Sequence, residues 1–172
     1  MMRRNKAAWI ILLAACCVLP LQAVSADDVR YKPVPQSADM ETVYITDVEI
    51  RDGHTYLTAD PIQWYEGAAA DEAFRRHEPD AGMDGAPDGY YIVNDVVDPH
   101  TYELAPDADI LMQFYNRTGD WSEADIRWNE KIGAAKFATL FDPQDREIME
   151  GFPYHVVVKN GKIVKIVQQY IP

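Results

Sequence analysis

The side chains that could act as nucleophiles are few and poorly placed for catalysis. Downstream of residue 26 the sequence contains no Cys, and its serines are Ser37 and Ser122. Neither serine lies in a G-x-S-x-G turn or beside a histidine, the arrangements that activate a hydroxyl group for attack on a carbonyl. The sequence therefore argues against acyl transfer of the Ser or Cys type.

Candidate metal ligands are present, but their spacing matches no common site. The histidines are far apart in the sequence, at His54, His77, His100 and His155. Because no H-x-H or H-x-x-x-H pair occurs, they form no zinc motif. A glycine-rich stretch offers calcium ligands from Asp80, Asp84 and Asp88, yet Tyr91 stands where an EF-hand has its bidentate Glu. Two interpretations remain, a calcium loop and, as the favoured one, a solvated acidic turn.

The acidic composition of the chain limits the partners and the catalytic groups that it can have. The sequence has 28 Asp and Glu against 16 Lys and Arg, a formal net charge of −12. We expect no nucleic-acid partner, because this charge repels polyanions. With so many carboxylates, some pairs lie close together in any fold, so a two-carboxylate hydrolase stays open although no pair is indicated. Phosphate-binding glycine loops are absent, and no cofactor is indicated.

Aromatic residues near the ends of predicted elements are the most suggestive feature. Their amphipathic rings can form the floor of a groove. We predict as ligand-binding residues Trp64, Tyr90, Tyr91 and Asn94. No catalytic residue and no metal ligand is assigned. The alternative is that these rings belong to the core and its rim.

The N-terminal residues indicate export. Residues 1–26 combine a basic start, an apolar run over residues 7–19 and small residues before Asp27, which are the features of a secretory signal peptide. We expect cleavage after Ala26 and a secreted or periplasmic protein with no transmembrane segment in the mature chain. The residues ending at Cys16 resemble a bacterial lipobox, so a lipoprotein anchored through Cys16 is the alternative.

The rest of the chain is predicted as a flexible tether, residues 27–41, followed by one domain, residues 42–172. The domain opens with a hairpin around Asp52-Gly53 and closes with one around Asn160-Gly161, both type I′ turn signals. The pairs predicted for the first hairpin are Ile50 with Thr55, Val48 with Leu57, and Thr46 with Ala59. Those for the second are Val158 with Ile163, Val157 with Val164, and His155 with Ile166.

Two helices are predicted between the hairpins. Asp60 and Pro61 suit the start of a helix that runs to His77, and a capping box at residues 122–125 suits the start of a second. Further strands are predicted at 90–94, 102–104 and 110–115. The expected fold class is α+β: a curled antiparallel sheet or small β-barrel built from hairpins, with two helices packed against it.

Three stretches carry a resemblance. They are D-P-x-x-W at residues 60–64 with Gly67, Y-Y-I-x-N at residues 90–94, and the ending from Pro153-Tyr154 through Asn160-Gly161 to Gln169-Tyr170-Ile171-Pro172. The chain resembles a set of secreted or lipid-anchored bacterial single-domain proteins of unknown function. The resemblance implies secretion and a single domain, and it transfers no active site.

These observations predict a non-enzymatic extracytoplasmic domain that binds a small molecule, an envelope polymer or a protein through a groove near Trp64 and Tyr91. One alternative is a carboxylate- or calcium-dependent hydrolase acting on cell-wall glycans. Another is an inhibitor of an extracellular enzyme, which would present a hairpin tip such as Asp52-Gly53.

Overall fold

The computed structural model describes residues 32–172. The predicted signal peptide, cleavage site, lipobox and first part of the tether lie outside these residues and stay predictions. The strands are β1 (Met40–Arg51), β2 (His54–Pro61), β3 (Gln63–Glu66), β4 (Tyr90–Val93), β5 (His100–Met112), β6 (Glu130–Ile132), β7 (Pro153–Lys159) and β8 (Lys162–Gln168). The helices are α1 (Gly67–His77), α2 (Ala134–Thr139) and α3 (Arg146–Glu150). Within residues 32–172, no helix combines the length and apolar character needed to cross a bilayer.

Five strands close into a barrel. Their order is β2-β1-β7-β8-β5, and β5 pairs back onto β2. All pairs around this ring are antiparallel except β5 with β8, which run parallel. The strand β6 extends the sheet from β5, while β3 and β4 form a separate small sheet. The predicted α+β barrel with packed helices is confirmed, with three α-helices among the described residues. Its connectivity is that of an OB-fold barrel, which by itself indicates no particular function.

Both predicted type I′ turns are confirmed. Asp52 and Gly53 have φ angles of 52° and 80°, and Asn160 and Gly161 have φ angles of 52° and 76°. These values lie in the left-handed region that both central residues of this turn require. The residue pairs next to the turns are also confirmed, namely Ile50 with Thr55, Val48 with Leu57, and Val158 with Ile163.

Farther from each turn the predicted register is wrong, because a bulge inserts one residue into one strand. In β1 the extra residue is Thr46, so Ala59 pairs with Ile45. In β8 the extra residue is Val164. The strand β7 therefore pairs Val157 with Lys165 and His155 with Val167.

The helix predicted to begin at Asp60 is wrong over its first part. The strand β2 continues through Pro61, and β3 pairs with β4 in the register Gln63 to Val93 and Trp64 to Ile92. This pairing with distant residues overrides the local capping signals. The helix α1 begins after this strand and ends before Pro79, as predicted. It buries Ala70, Ala73 and Phe74, a spacing that forms one helical face.

The helix predicted to begin at Ser122 is also wrong. Residues Trp121–Glu123 form one 3-10 turn, in which the Asp120 carboxylate accepts a hydrogen bond from the Ser122 N–H. The chain then enters β6, and the apolar stripe containing Phe137 and Leu140 belongs to α2 and its C-cap, both residues being buried. The sequence did not predict α3.

Three buried glutamine side chains lie at the end of the barrel where β5 and β8 end. We call Gln113, Gln168 and Gln169 the glutamine end; each is at most 2% exposed. Gln168 Oε1 accepts hydrogen bonds from the backbone N–H groups of Gln113 and Phe114. The Gln169 amide accepts from the Val34 N–H and donates to the Lys32 carbonyl. The last part of the predicted tether therefore packs on the barrel, whereas the domain boundaries stay predictions.

Candidate functional site

Two of the four predicted site residues lie together against the barrel. The rings of Trp64 and Tyr90 stack with centroids 4.9 Å apart, and the edge of Trp64 meets the ring of His155 at 5.8 Å. Both aromatic residues are half-buried. The indole Nε1 donates a hydrogen bond to Glu66 Oε1 at 2.8 Å. The pair joins the small sheet to the barrel.

Tyr91 lies on the opposite face of the small sheet, because successive side chains of a strand point to opposite sides. Its ring meets Phe74 edge-on at 5.6 Å, and its hydroxyl donates to Glu78 Oε1 at 3.1 Å. Both partners belong to α1 or its C-cap. The structure thus does not bring Tyr91 and Trp64 into one groove, and the binding role of either residue stays a prediction.

Asn94, the fourth predicted residue, is part of an anchored loop. The carboxylate of Asp60 is 3% exposed and holds the loop from both oxygens. Asp60 Oδ2 accepts from Asn94 Nδ2 at 2.9 Å, and Oδ1 accepts from the backbone N–H of Asp98 at 2.8 Å. Since a buried carboxylate needs such donors, this contact fixes both ends of residues 94–98. We call residues 94–98 the valine loop.

The valine loop displays apolar side chains to solvent. Val96 is 73% exposed and Val97 is 71% exposed, the highest fractions among the large exposed hydrophobic residues of the described chain. This pair was not among the residues predicted from the sequence. The available signal was two consecutive valines between Asp95 and Asp98 in a loop that ends at a proline.

A cavity of about 300 Å³ lies beneath the valine loop. Its apolar wall comes from Pro61 at the end of β2, Ile62 between β2 and β3, and Val93 at the end of β4. Its polar rim includes Gln63, Asn94 and Asp95. The cavity therefore combines an apolar wall with amide and carboxylate groups, a mixture typical of binding sites.

The acidic glycine-rich stretch folds back onto α1. Arg75 donates from Nη1 to the Asp84 carbonyl at 2.6 Å, and Asp71 Oδ1 accepts from the Ala86 N–H at 3.0 Å. A Cβ atom on Gly85 would collide with this Asp71 carboxylate, so a larger residue at position 85 would force the Asp71 side chain to move. In residues 32–172 no three His, Cys, Asp or Glu side chains are grouped closely enough to hold a metal ion.

The carboxyl groups with clearly displaced pKa values in residues 32–172 are displaced downward: Asp39, Glu103, Asp120 and Asp125. Glu103 illustrates the cause. Hydrogen bonds from Lys162, at 2.7 Å, and from His54, at 2.8 Å, lower the pKa of this carboxyl. Because Lys162 and His54 each follow one of the two hairpin turns, Glu103 links the two hairpins on the outer face of the barrel. A general acid would instead need a raised pKa.

One buried histidine of the barrel strand β7 contacts the small sheet through Trp64. His155 is fully buried, and its Nδ1 lies 2.9 Å from Thr42 Oγ1. Its Nε2 has no hydrogen-bond partner among the described residues. Burial lowers the pKa of His155 to about 4, so the ring is neutral at pH 7.

Comparison with other proteins gives no assignment. No family model matches the chain, and neither a curated protein nor a solved structure matches it significantly. The geometry of the valine loop and its cavity therefore carries the functional argument.

Proposed function

We propose that this protein is a non-enzymatic extracytoplasmic binding domain that docks a protein partner through the valine loop. The observation that carries the proposal is the exposure of Val96 and Val97 on a loop whose two ends are anchored to buried Asp60. Exposed apolar residues rimmed by polar groups mark interaction sites. An anchored loop also loses less conformational entropy on binding than a free loop does.

The dimensions favour a protein over a small molecule. The cavity volume, about 300 Å³, lies at the lower limit for drug-sized ligand sites. Val96 lines this cavity but Val97 does not, so a small molecule that filled it would leave Val97 in water. A protein surface can cover the valines and also place a group in the cavity.

The extracytoplasmic location rests on the signal-peptide pattern of residues 1–26 and on the resemblance to secreted bacterial proteins. The hydrolase alternative has less support, because the displaced carboxyl pKa values all shift downward. An inhibitor of an extracellular enzyme is one form of the proposed function. The geometry favours the valine loop over the Asp52-Gly53 tip as its contact.

A capture experiment tests the proposal. The immobilised protein is exposed to envelope extract of the source bacterium and compared with Val96→Ser/Val97→Ser and with Ile50→Ser. Ile50 is a suitable control because it is 65% exposed on the first hairpin, away from the loop. We expect one partner to be retained by the wild type and by Ile50→Ser and lost with the loop variant. Equal retention by all three proteins would contradict the proposal.

A further inference from the structure

We infer that the partner inserts an arginine or lysine side chain into the cavity beneath the valine loop. This inference rests on the proposed function and specifies the chemistry of the partner. It assigns two contacts to one surface: the valines cover apolar surface of the partner, and the cavity receives a cation.

The charges at the loop support a cationic group. Asp95 and Asp98 stand on either side of the exposed valines and both line the cavity. Within residues 32–172, Asp95 makes no ion pair and no side-chain hydrogen bond, while Asp98 meets His100 at 3.3 Å. A partner cation would therefore find carboxylate oxygens that the domain itself leaves largely unneutralised. By contrast, Glu103 is already engaged by Lys162 and by the ring of His54.

The cavity wall supports a cation on an aliphatic stem. Ile62 and Val93 supply apolar surface below the polar rim formed by Gln63, Asn94 and Asp95. Lysine and arginine side chains bury their methylene stems against apolar surface while the charged head stays among polar groups. A rigid, planar guanidinium also suits several oxygen acceptors arranged around a rim.

The net charge of the whole chain also favours a cationic group on the partner. A chain with a formal net charge of −12 attracts basic partners over long range and repels acidic ones. This attraction chiefly raises the association rate, and it weakens as salt screens the charges. A basic partner group at the valine loop is consistent with both the local and the overall field.

Peptide titration followed by amide NMR tests the inference with defined probes. The probes are N-acetylated, C-amidated Val-Arg-Val and the same peptide with citrulline, a neutral isostere, in place of arginine. We expect the arginine peptide to shift the amide signals of Gln63 and residues 93–98, with saturation in the millimolar range. The citrulline peptide should give smaller shifts at equal concentration.

Two matched variants test whether the carboxylate of Asp95 contributes to binding of the arginine peptide. Asp95→Asn should weaken arginine-peptide binding about three- to fivefold, the effect of losing one exposed ion pair. Asp107→Asn removes the same charge from an exposed position in β5 and should leave binding unchanged. Since Asp95 has no partner within the described residues, its replacement should not disturb folding.

The outcomes separate this inference from the proposed function. Equal shifts with arginine and citrulline, no shifts at the valine loop, or unchanged binding by Asp95→Asn would overturn the cationic group. If capture of a partner still depended on Val96 and Val97, the proposed function would survive that result. If capture did not depend on the valines, the proposed function would fail first.

Discussion

The glutamine end and the valine loop both use buried polar side chains to hold backbone, with opposite results. At the glutamine end, Gln168 and Gln169 hydrogen-bond to neighbouring backbone groups, and Val34 is drawn into the core at 6% exposure. At the valine loop, Asp60 holds both ends of the loop, yet Val96 is left 73% exposed. One anchor buries apolar surface and the other displays it.

This difference separates stability from recognition. Burying an apolar side chain stabilises a fold, whereas holding one in water gives the folded chain no such gain. An anchored, exposed apolar pair therefore fits a role in binding. Variants of the buried core and of the two anchors test this difference, and the expected losses of stability decrease from the first to the third.

The largest effect should come from a buried barrel residue. Ile166 in β8 is fully buried, so Ile166→Ala should lower the free energy of unfolding by about 2–5 kcal/mol. Val97→Ala, in the valine loop, should change it by less than about 0.5 kcal/mol. Urea unfolding of both variants measures this contrast. Similar losses for both would mean that Val97 packs in the fold, against the comparison.

The second effect concerns pH. The pKa of His155 is about 4 in the folded protein and 6.5 in the unfolded chain. Between pH 4 and pH 6.5 the unfolded chain is therefore protonated at His155, whereas the folded protein is not. Stability due to the neutral ring is therefore complete above pH 6.5 and is lost as the pH falls towards 4. The loss should amount to roughly 3 kcal/mol.

The check is urea unfolding from pH 7 to pH 4 for the wild type and for His155→Gln. The variant cannot titrate at this position and keeps a group that can bond to Thr42 Oγ1. Its stability should fall less steeply over this interval. Parallel curves for the two proteins would show that His155 is not buried in its neutral form.

The third effect compares the two anchors directly. Asp60→Ala leaves the Asp98 N–H and the Asn94 amide without their acceptor and should cost about 1–3 kcal/mol. Gln169→Ala removes the anchor of Val34 and should cost a similar amount. Hydrogen exchange distinguishes the variants. The amides of residues 96–98 should exchange faster in Asp60→Ala alone, and equal acceleration in both would argue against a local anchor.

Local sequence signals predicted the parts of the fold that depend on neighbouring residues. The Asp-Gly and Asn-Gly turns required positive φ at two adjacent positions, and both hairpins formed there. The register failed beyond Thr46 and Val164, because nothing in the local sequence marks a bulge. The helix predicted at Asp60 failed for a related reason. Its capping signal is local, whereas pairing of β3 with β4 joins residues about 30 positions apart, counted from Trp64 to Ile92.

The candidate site was less accessible to sequence reasoning. Asn94 was predicted as a site residue and borders the cavity, but it does so as part of a loop anchored by Asp60. In the sequence, Asp60 had the signature of a helix cap, and its burial followed only from the barrel. The aromatic residues drew attention because of their type. Their separation onto two faces of one small sheet depended on a strand that the sequence did not predict.

Backbone dynamics at the valine loop test the central claim most directly. The measurement is the ¹⁵N order parameter of the amides of Val96 and Val97. If Asp60 holds the loop in a fixed conformation, both order parameters should be about 0.85, the value of rigid backbone, although the side chains are exposed. Values below about 0.6 would describe a flexible loop and would contradict the account of an anchored apolar surface.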